Sequence, residues 1–267
     1  MKAAALIMLM VIAANVFAQQ EPCRDVKRLQ ELVWKKEQGG AAWIKTIDSV
    51  INLCPASAAL WGDKGLGYMI RGEFVEGMKY FSKAAELDPY YYLGTRAWYR
   101  MRYLHDYKGA ISDFESIEKV AGTSFVYVTS VHMYILKALS YQELGEYDKA
   151  LETYNVAIND QIARSGPEWV GSYDYLHRGI LLFHMKDMEG AIEDLTRQVK
   201  EYESLADTYY YRGLAYAAVG RKDEARVDLQ QAKNLMLGDG QRRWDSLFVL
   251  PDEVFLSDVE KALLRLY

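Results

Sequence analysis

The stretch "YYRGLAYAAVG", residues 210–220, decides the fold of this 267-residue chain. Its apolar residues recur at helical spacing, yet Gly213 lies in the middle of the pattern. A glycine inside a helix costs about 1 kcal/mol relative to alanine. A neighbouring element must therefore pack so closely against this turn that a larger side chain would not fit.

Stretches with this helical spacing recur along the chain, and each is followed by a second helical segment that begins at a glycine turn. Three of the second segments are "GEFVEGMKYFSKAAELDP" (72–89), "GEYDKALETYNVAI" (145–158) and "GRKDEARVDLQQA" (220–232). The segments that precede them contain "LWGDKGLGYMI", "YILKALSYQEL" and "YYRGLAYAAV". Helix, glycine turn and helix thus recur with a period of about 34 residues.

This pattern resembles the tetratricopeptide repeat (TPR), in which aromatic and small residues recur at fixed positions. The copy that starts at Ala58 supplies Trp61, Gly65, Tyr68, Phe81, Ala84 and Pro89, with Gly77 where alanine is usual. Further copies start at Tyr91, Val131, Ser172 and Ala206. The Tyr91 copy is weaker, since Trp98 takes the place of a small residue. A degenerate copy covers residues 24–55, with Trp43 in place of an alanine.

The resemblance implies an all-α protein, a right-handed superhelical solenoid of antiparallel helix pairs. We expect five repeats, a degenerate N-terminal repeat and a C-terminal capping helix, because a solenoid must cover its last apolar face. The expected boundaries are a signal peptide at 1–18, the degenerate repeat at 19–57, the repeat array at 58–239 and the capping segment at 240–267. Two insertions, at 121–130 and 160–172, are expected to be loops or lengthened helix ends.

Facing positions of an antiparallel helix pair predict specific contacts. Gly213 is expected to face Ala225, and Gly65 and Gly179 are expected to have the same role. Arg212 comes opposite Asp228, and Arg178 comes opposite Asp194 in the same way. These arginines are therefore predicted to form ion pairs that belong to the scaffold.

The first eighteen residues, "MKAAALIMLMVIAANVFA", resemble a secretory signal peptide with cleavage after Ala18. The alternative is a membrane anchor, but the apolar run is shorter than the roughly 20 residues that span a bilayer. The sequence predicts a periplasmic or secreted protein with no membrane span after signal removal. In an oxidising compartment Cys23 and Cys54, which come to facing positions of the first repeat, are expected to form a disulfide. Two free thiols are the alternative.

Composition and motifs give no indication of a nucleic-acid-binding, metal-binding or catalytic site. The net charge is −5 and no basic stripe appears, so nucleic acid is not an expected partner. The four histidines, His105, His132, His177 and His184, have no metal-ligand spacing. No phosphate loop or nucleophile motif appears. We expect no cofactor, no metal and no enzyme activity, although a site assembled from distant residues would escape this reasoning.

The resemblance also implies a binding surface, because TPR first helices line a concave face. The residues predicted for this groove are Tyr92, Tyr99, Arg102, Tyr103, His132, Ile135, Tyr173, Leu176, Phe183, His184 and Tyr210. Some chaperone-binding TPR domains clamp a terminal carboxylate with lysine and asparagine at two groove positions; this chain has neither there. The groove is instead aromatic and apolar, which is typical of interface anchors.

The sequence therefore predicts an exported scaffold that binds a protein or peptide in the cell envelope. A structural or oligomerisation subunit of an envelope complex, using its convex face, is the alternative. A third alternative is that the superhelix or the C-terminal segment fills the groove, so that these residues are core. The oligomeric state is left open.

Overall fold

The computed structural model describes residue 23, residues 25–238 and residues 252–266. The α-helices are Val26–Trp34 (α1), Ala41–Leu53 (α2), Ala58–Ile70 (α3), Phe74–Leu87 (α4), Pro89–Tyr99 (α5), Tyr107–Ala121 (α6), Met133–Glu143 (α7), Tyr147–Ser165 (α8), Asp174–His184 (α9), Met188–Glu201 (α10), Ala206–Ala218 (α11), Lys222–Leu237 (α12) and Leu256–Leu264 (α13). A π-helix, Arg100–Leu104, follows α5, and a 3-10 helix, Pro167–Trp169, follows α8.

The chain forms two compact units, Met1–Ser124 and Phe125–Tyr267. In the first unit α3 packs against α4 and α5 against α6; in the second α7 packs against α8, α9 against α10 and α11 against α12. Both units are thus built from antiparallel helix pairs, and the predicted all-α fold class is confirmed. The predicted signal peptide, residues 1–18, lies outside the described residues.

The close helix crossing at Gly213 is present. A Cβ atom on Gly213 would lie 2.9 Å from Cγ of Leu229 and 3.3 Å from the carbonyl oxygen of Ala225. At Gly179 a Cβ atom would lie 2.8 Å from Cγ of Leu195. Because such separations are too short for ordinary contact, only glycine fits at these crossings without displacing the partner helix. Leu229, one turn after the predicted Ala225, is the nearest neighbour.

Both predicted ion pairs form within their helix pairs. Arg212 donates to the two carboxylate oxygens of Asp228 at 2.7 and 2.9 Å. Arg178 donates to Asp194 at 2.6 and 2.8 Å. Each arginine also reaches the preceding helix pair, since Arg178 donates to Asn155 Oδ1 at 2.8 Å. The arginines therefore tie neighbouring repeats together as well as the two helices of one repeat.

A third pair, Arg96 with Asp113, corrects the register of the weak repeat. Its partners are 17 residues apart, whereas the other two pairs are separated by 16. The π-helix Arg100–Leu104 between them accommodates one extra residue. The fully buried small residue of α5 is accordingly Ala97, whereas Trp98 is only partly buried. The alignment that put Trp98 in the small-residue position was wrong by one residue.

Trp43 fits in the degenerate repeat because the next helix has a glycine opposite it. Trp43 is 1% exposed, and a Cβ atom on Gly67 would collide with its ring. The volume of the Trp43 ring is accommodated because Gly67 has no side chain. The "GLG" sequence at 65–67 thus serves helix packing.

The two insertions have different structures. The one at 160–172 lengthens α8 to Ser165 and continues as the 3-10 helix. The other contains a short antiparallel hairpin, in which strand Tyr127–Val128 (β1) pairs with strand Val131–His132 (β2). The hairpin was not predicted, and α7 begins after it at Met133 rather than at Val131.

The C-terminal helix caps the second unit, as predicted. Its Val259 is fully buried and Ala262 is 6% exposed. Lys233 of α12 forms an ion pair with Glu260 at 2.8 Å. Within residues 25–238 and 252–266, no helix is both long and apolar enough to cross a membrane.

Cys23 and Cys54 form a disulfide in the first unit, with their Cα atoms 5.4 Å apart. This separation lies in the range that an unstrained bridge needs. Cys54, which follows α2, is completely buried. The bridge therefore ties the residues that precede α1 to the end of α2.

We expect the unreduced, denatured protein from its native compartment to contain no free thiol. Titration with a thiol reagent checks this, and the same sample after reduction, with two thiols per chain, is the control. Two free thiols before reduction would contradict the bridge.

Candidate functional site

The C-terminal segment Asp252–Phe255 lies on the first helices of the helix pairs in the second unit. The carboxylate of Asp252 accepts a hydrogen bond from Gln142 Nε2 at 2.8 Å, and its other oxygen lies 3.0 Å from His184 Nε2. The carbonyl oxygen of Asp252 accepts from the hydroxyl of Tyr211 at 3.0 Å. We call Gln142, His184 and Tyr211 the Asp252 pocket.

Three helices each contribute one member of the Asp252 pocket. Gln142 lies near the end of α7, His184 is the last residue of α9, and Tyr211 lies within α11. Tyr154 donates to Gln142 Oε1 at 3.3 Å, which turns the amide nitrogen toward Asp252. The repeat itself thus places the pocket, because equivalent first helices stack side by side in the unit.

An apolar contact accompanies the polar ones. Val254 is 3% exposed and belongs to the core cluster that contains Leu176, Ile180 and Tyr211. Phe255 remains 43% exposed. In the second unit the chain's own C-terminal segment therefore fills the part of the predicted groove that α9 and α11 form. The alternative of a filled groove describes this part of the structure.

The predicted groove residues of the second unit differ in accessibility. His132, Ile135 and Leu176 are at most 1% exposed, and Leu176 shares a core cluster with Val254 of the C-terminal segment. Phe183, His184 and Tyr210 are half-buried, and Tyr173 is 38% exposed. His132, Ile135 and Leu176 are therefore covered, and partner binding by the accessible groove residues stays a prediction.

His132 has a structural role at the start of α7. Its Nδ1 accepts a hydrogen bond from the backbone nitrogen of Tyr134, which caps the helix. Burial lowers the pKa of His132, and the nearby Asp160 carboxylate, 3.7 Å from Nε2, acts in the opposite direction but more weakly. The imidazole is therefore neutral at pH 7.

Neutral, buried His132 predicts acid sensitivity. Its folded-state pKa is below the unfolded value of about 6.5, so only the unfolded chain takes up this proton as the pH falls. We expect the unfolding free energy to decrease below about pH 6.5, and to decrease less in His132→Asn, whose side chain can also cap α7. Denaturant titrations of both proteins at pH 7 and 5 measure this; equal decreases would contradict it.

The predicted groove residues of the first unit form an aromatic cluster. Tyr99 stacks on Phe81 and on Tyr103, with ring centroids 4.7 and 5.5 Å apart, and Tyr103 stacks on Phe74 at 5.0 Å. Burial raises the pKa of Tyr99 to about 12. Stacking and burial together indicate that these rings stabilise the unit.

The two other predicted groove residues of the first unit are also partly covered. Tyr92 packs against Gly62, where a Cβ atom would collide with its ring, and burial raises the pKa of Tyr92 to about 12. Arg102 lies half-buried in the π-helix. Because the π-helix shifts the register of this helix, these positions do not correspond to the groove positions assumed in the alignment.

No metal site is evident in the described part of the chain. Within residues 23, 25–238 and 252–266, no three His, Cys, Asp or Glu side chains come together as a metal site requires.

The opposite face of the second unit has a shallow groove of its own. It lies between α10, α11 and α12 and has a volume of about 620 Å³. Val227 on this outer face is 69% exposed. This groove is a second place where the unit could contact another molecule.

Comparison with known proteins agrees with the helix-pair architecture. Residues 131–159, which include α7 and most of α8, match the tetratricopeptide repeat family model. The chain has the TPR fold. No curated protein is similar enough in sequence to count as a relative.

Solved TPR structures extend the likeness over most of the chain. A TPR protein from Parabacteroides merdae has 19% identity and a TM-score of 0.51, covering 91% of this chain and 79% of that one. PilW, a type IV pilus biogenesis factor, has 13% identity and a TM-score of 0.62, covering 79% and 93%. YrrB, a TPR protein with an unusual peptide-binding site, has 15% identity and a TM-score of 0.54, covering 74% and 93%. At these identities the likeness concerns the fold.

The repeat positions placed both His184 and Gln142 in the groove, but they did not indicate Tyr211 or Asp252 as part of a site. Gln142 occupies a groove position of its repeat, which is a usable signal. Tyr211 is not at a usual groove position, and Asp252 is 110 residues from Gln142 in the chain. Their contact depends on the path of the C-terminal segment, which no repeat pattern specifies.

Proposed function

We propose that this chain is an exported TPR scaffold that binds an extended protein or peptide segment along the first helices of its second unit. The observation that carries the proposal is that these helices already hold such a segment, Asp252–Phe255. Side chains from three helix pairs bind its carboxylate and its backbone, and a core cluster takes its valine. A face built this way suits peptide recognition, and the protein needs no catalytic group for that function.

A comparison of inner-face and outer-face variants tests this function. Tyr173, a predicted groove residue that is 38% exposed, is changed to Ala, and Val227, which is 69% exposed on α12, is changed to Ala as the matched control. Affinity-tagged proteins are expressed in the native host and recovered with their partners from envelope extracts. We expect Tyr173→Ala to retain at most a tenth of the partner that Val227→Ala retains, while both variants keep the wild-type melting temperature.

The opposite result supports the alternative function, in which the outer face assembles the protein into an envelope complex. The exposed Val227 and the shallow groove beside it are the observations that favour this alternative. Loss of the partner in Val227→Ala with full retention in Tyr173→Ala would contradict the inner-face proposal. Tyr99 and Tyr103 are less suitable for this experiment, since their rings are packed within the first unit.

We further propose export to the periplasm or the exterior. The apolar sequence that ends at Ala18 and the Cys23–Cys54 disulfide support it, because disulfides persist in oxidising compartments. N-terminal sequencing of the protein from its native host is expected to begin at Gln19. An intact Met1 in a cytosolic fraction would contradict export.

A further inference from the structure

The Asp252 pocket joins parts of the chain that are distant in sequence. Asp252 is 110 residues from Gln142 and 68 from His184 along the chain. Its backbone has φ = 55°, a left-handed conformation that non-glycine residues rarely adopt. Aspartate adopts this conformation more readily than most non-glycine residues, and the contacts with the pocket fix it in one orientation.

We propose that the Asp252 pocket is a receptor for an acidic residue of a partner peptide, and that the chain's own Asp252 occupies it until the partner binds. This inference rests on the proposed function and specifies its ligand. The ligand is an extended segment with an aspartate followed, two residues later, by a branched apolar residue. The segment Asp252–Val254 is the template for both requirements.

The pocket's chemistry explains this specificity. Gln142 Nε2 and His184 Nε2 lie 2.8 and 3.0 Å from the two carboxylate oxygens, so together they distinguish a carboxylate from an apolar side chain. The hydroxyl of Tyr211 donates to a backbone carbonyl oxygen. Because every residue has this oxygen, the Tyr211 hydrogen bond does not select a particular side chain. The valine site, 3% exposed when filled, selects an apolar residue of limited size.

The position after the valine tolerates variation, because its side chain is exposed. Glu253 is partly exposed, and Phe255 is 43% exposed. The recognised pattern thus consists of one acidic and one apolar position, held by one main-chain hydrogen bond. It differs from the clamp of chaperone-binding TPR domains, whose lysine and asparagine this chain lacks at the corresponding positions.

The occupying segment can leave without loss of the cap. Helix α13 packs on α12 and pairs with it through Lys233 and Glu260, while its Val259 shares a core cluster with Val254. Asp252 and Val254 precede this helix and contact the pocket and its core cluster. A partner peptide therefore competes with a few contacts of the segment, while the folded unit and its cap remain.

A binding measurement with a synthetic peptide tests the inference. The probe is fluorescein-labelled LPDEVFLSD, the sequence of residues 250–258, and its fluorescence anisotropy is followed with full-length protein. We expect the peptide to bind Asp252→Ala at least tenfold more tightly than it binds the wild type, because the weakened internal segment leaves more of the pocket open. Ser257→Ala, at an exposed position of the same segment, is the control and should bind like the wild type.

An altered probe and hydrogen exchange provide two further measurements. A probe with alanine in place of its first aspartate should bind Asp252→Ala at least tenfold more weakly than the original probe. In the wild type, saturating peptide should increase the amide hydrogen exchange of Val254 and leave that of α13 unchanged, including the Phe255 amide that donates to Asp258. If Asp252→Ala fails to fold, Asp252→Asn replaces it, since asparagine tolerates a left-handed backbone.

Any one of three binding results would overturn the inference. They are equal affinity of the probe for wild type and Asp252→Ala, equal affinity of the two probes, and absence of binding to a folded Asp252→Ala. A wild-type dimer, seen by sedimentation, that the probe dissociates would instead make a second copy the occupant and also overturn it. The proposed function fails separately, in the comparison of Tyr173→Ala with Val227→Ala.

Discussion

Gly213→Leu is expected to destabilise the protein by more than about 2 kcal/mol. Even a Cβ atom at this position would lie 2.9 Å from Leu229 Cγ, and the backbone of Ala225 lies 3.3 Å away. A leucine must therefore push α12 away from α11 and open the core between them. Chemical denaturation of the purified variant, compared with the wild type, measures the loss.

Lys222→Gln is the matched control for this change. Lys222 is exposed at the start of α12, so its replacement should alter the unfolding free energy by no more than about 0.5 kcal/mol. Identical unfolding curves for Gly213→Leu and Lys222→Gln would mean that the two helices do not cross closely at Gly213.

Asp194→Asn should destabilise the second unit by about 3 kcal/mol, because removal of one partner leaves the charge of a buried ion pair uncompensated. Only 4% of the Asp194 side chain and 14% of the Arg178 side chain are exposed. Arg178 also bonds to Asn155 of the preceding pair, so the change should loosen the contact between repeats as well. Thermal and denaturant unfolding with the same protein preparation measure the difference.

The neighbouring residue supplies the control. Glu193 pairs with Arg197 on the same helix, but its side chain is 66% exposed. Glu193→Gln should therefore cost no more than about 0.5 kcal/mol, since exposed pairs contribute little. Equal losses for Asp194→Asn and Glu193→Gln would show that the Arg178 pair does not stabilise the junction between repeats.

The repeat pattern predicted the helix pairs because it records their packing. Gly213, Gly179 and the arginine–aspartate pairs occupy positions that face each other in any antiparallel hairpin of this geometry. These contacts depend only on the repeat and its period, which are visible in one sequence. The sequence therefore contained the fold and the main scaffold interactions.

Local departures from the repeat were harder to predict. The π-helix Arg100–Leu104 adds one residue to a first helix, and its sequence has no distinctive signature. It displaced the alignment, so that Trp98 was assigned the position that Ala97 occupies. The hairpin Tyr127–His132 lies where a loop or a lengthened helix end was expected. It could not be predicted because strands of two residues are too short to show an alternating pattern.

The candidate site depends on a long-range contact that the repeat does not determine. The groove residues were identified from repeat positions alone, which cannot tell an open face from a covered one. Leu176 and Ile135 are core residues because other parts of the chain lie over them. Gln142, Tyr211 and Asp252 become a site only when the C-terminal segment returns to the first helices.

Site-specific photo-crosslinking in living cells shows whether the inner face of the second unit contacts the partner. A photoreactive amino acid is placed at position 143 beside Gln142, at position 173, or at position 227 on the outer face, and the living native host is irradiated. We expect positions 143 and 173 to yield the same crosslinked partner and position 227 to yield none. A partner crosslinked from position 227 alone would contradict contact through the inner face.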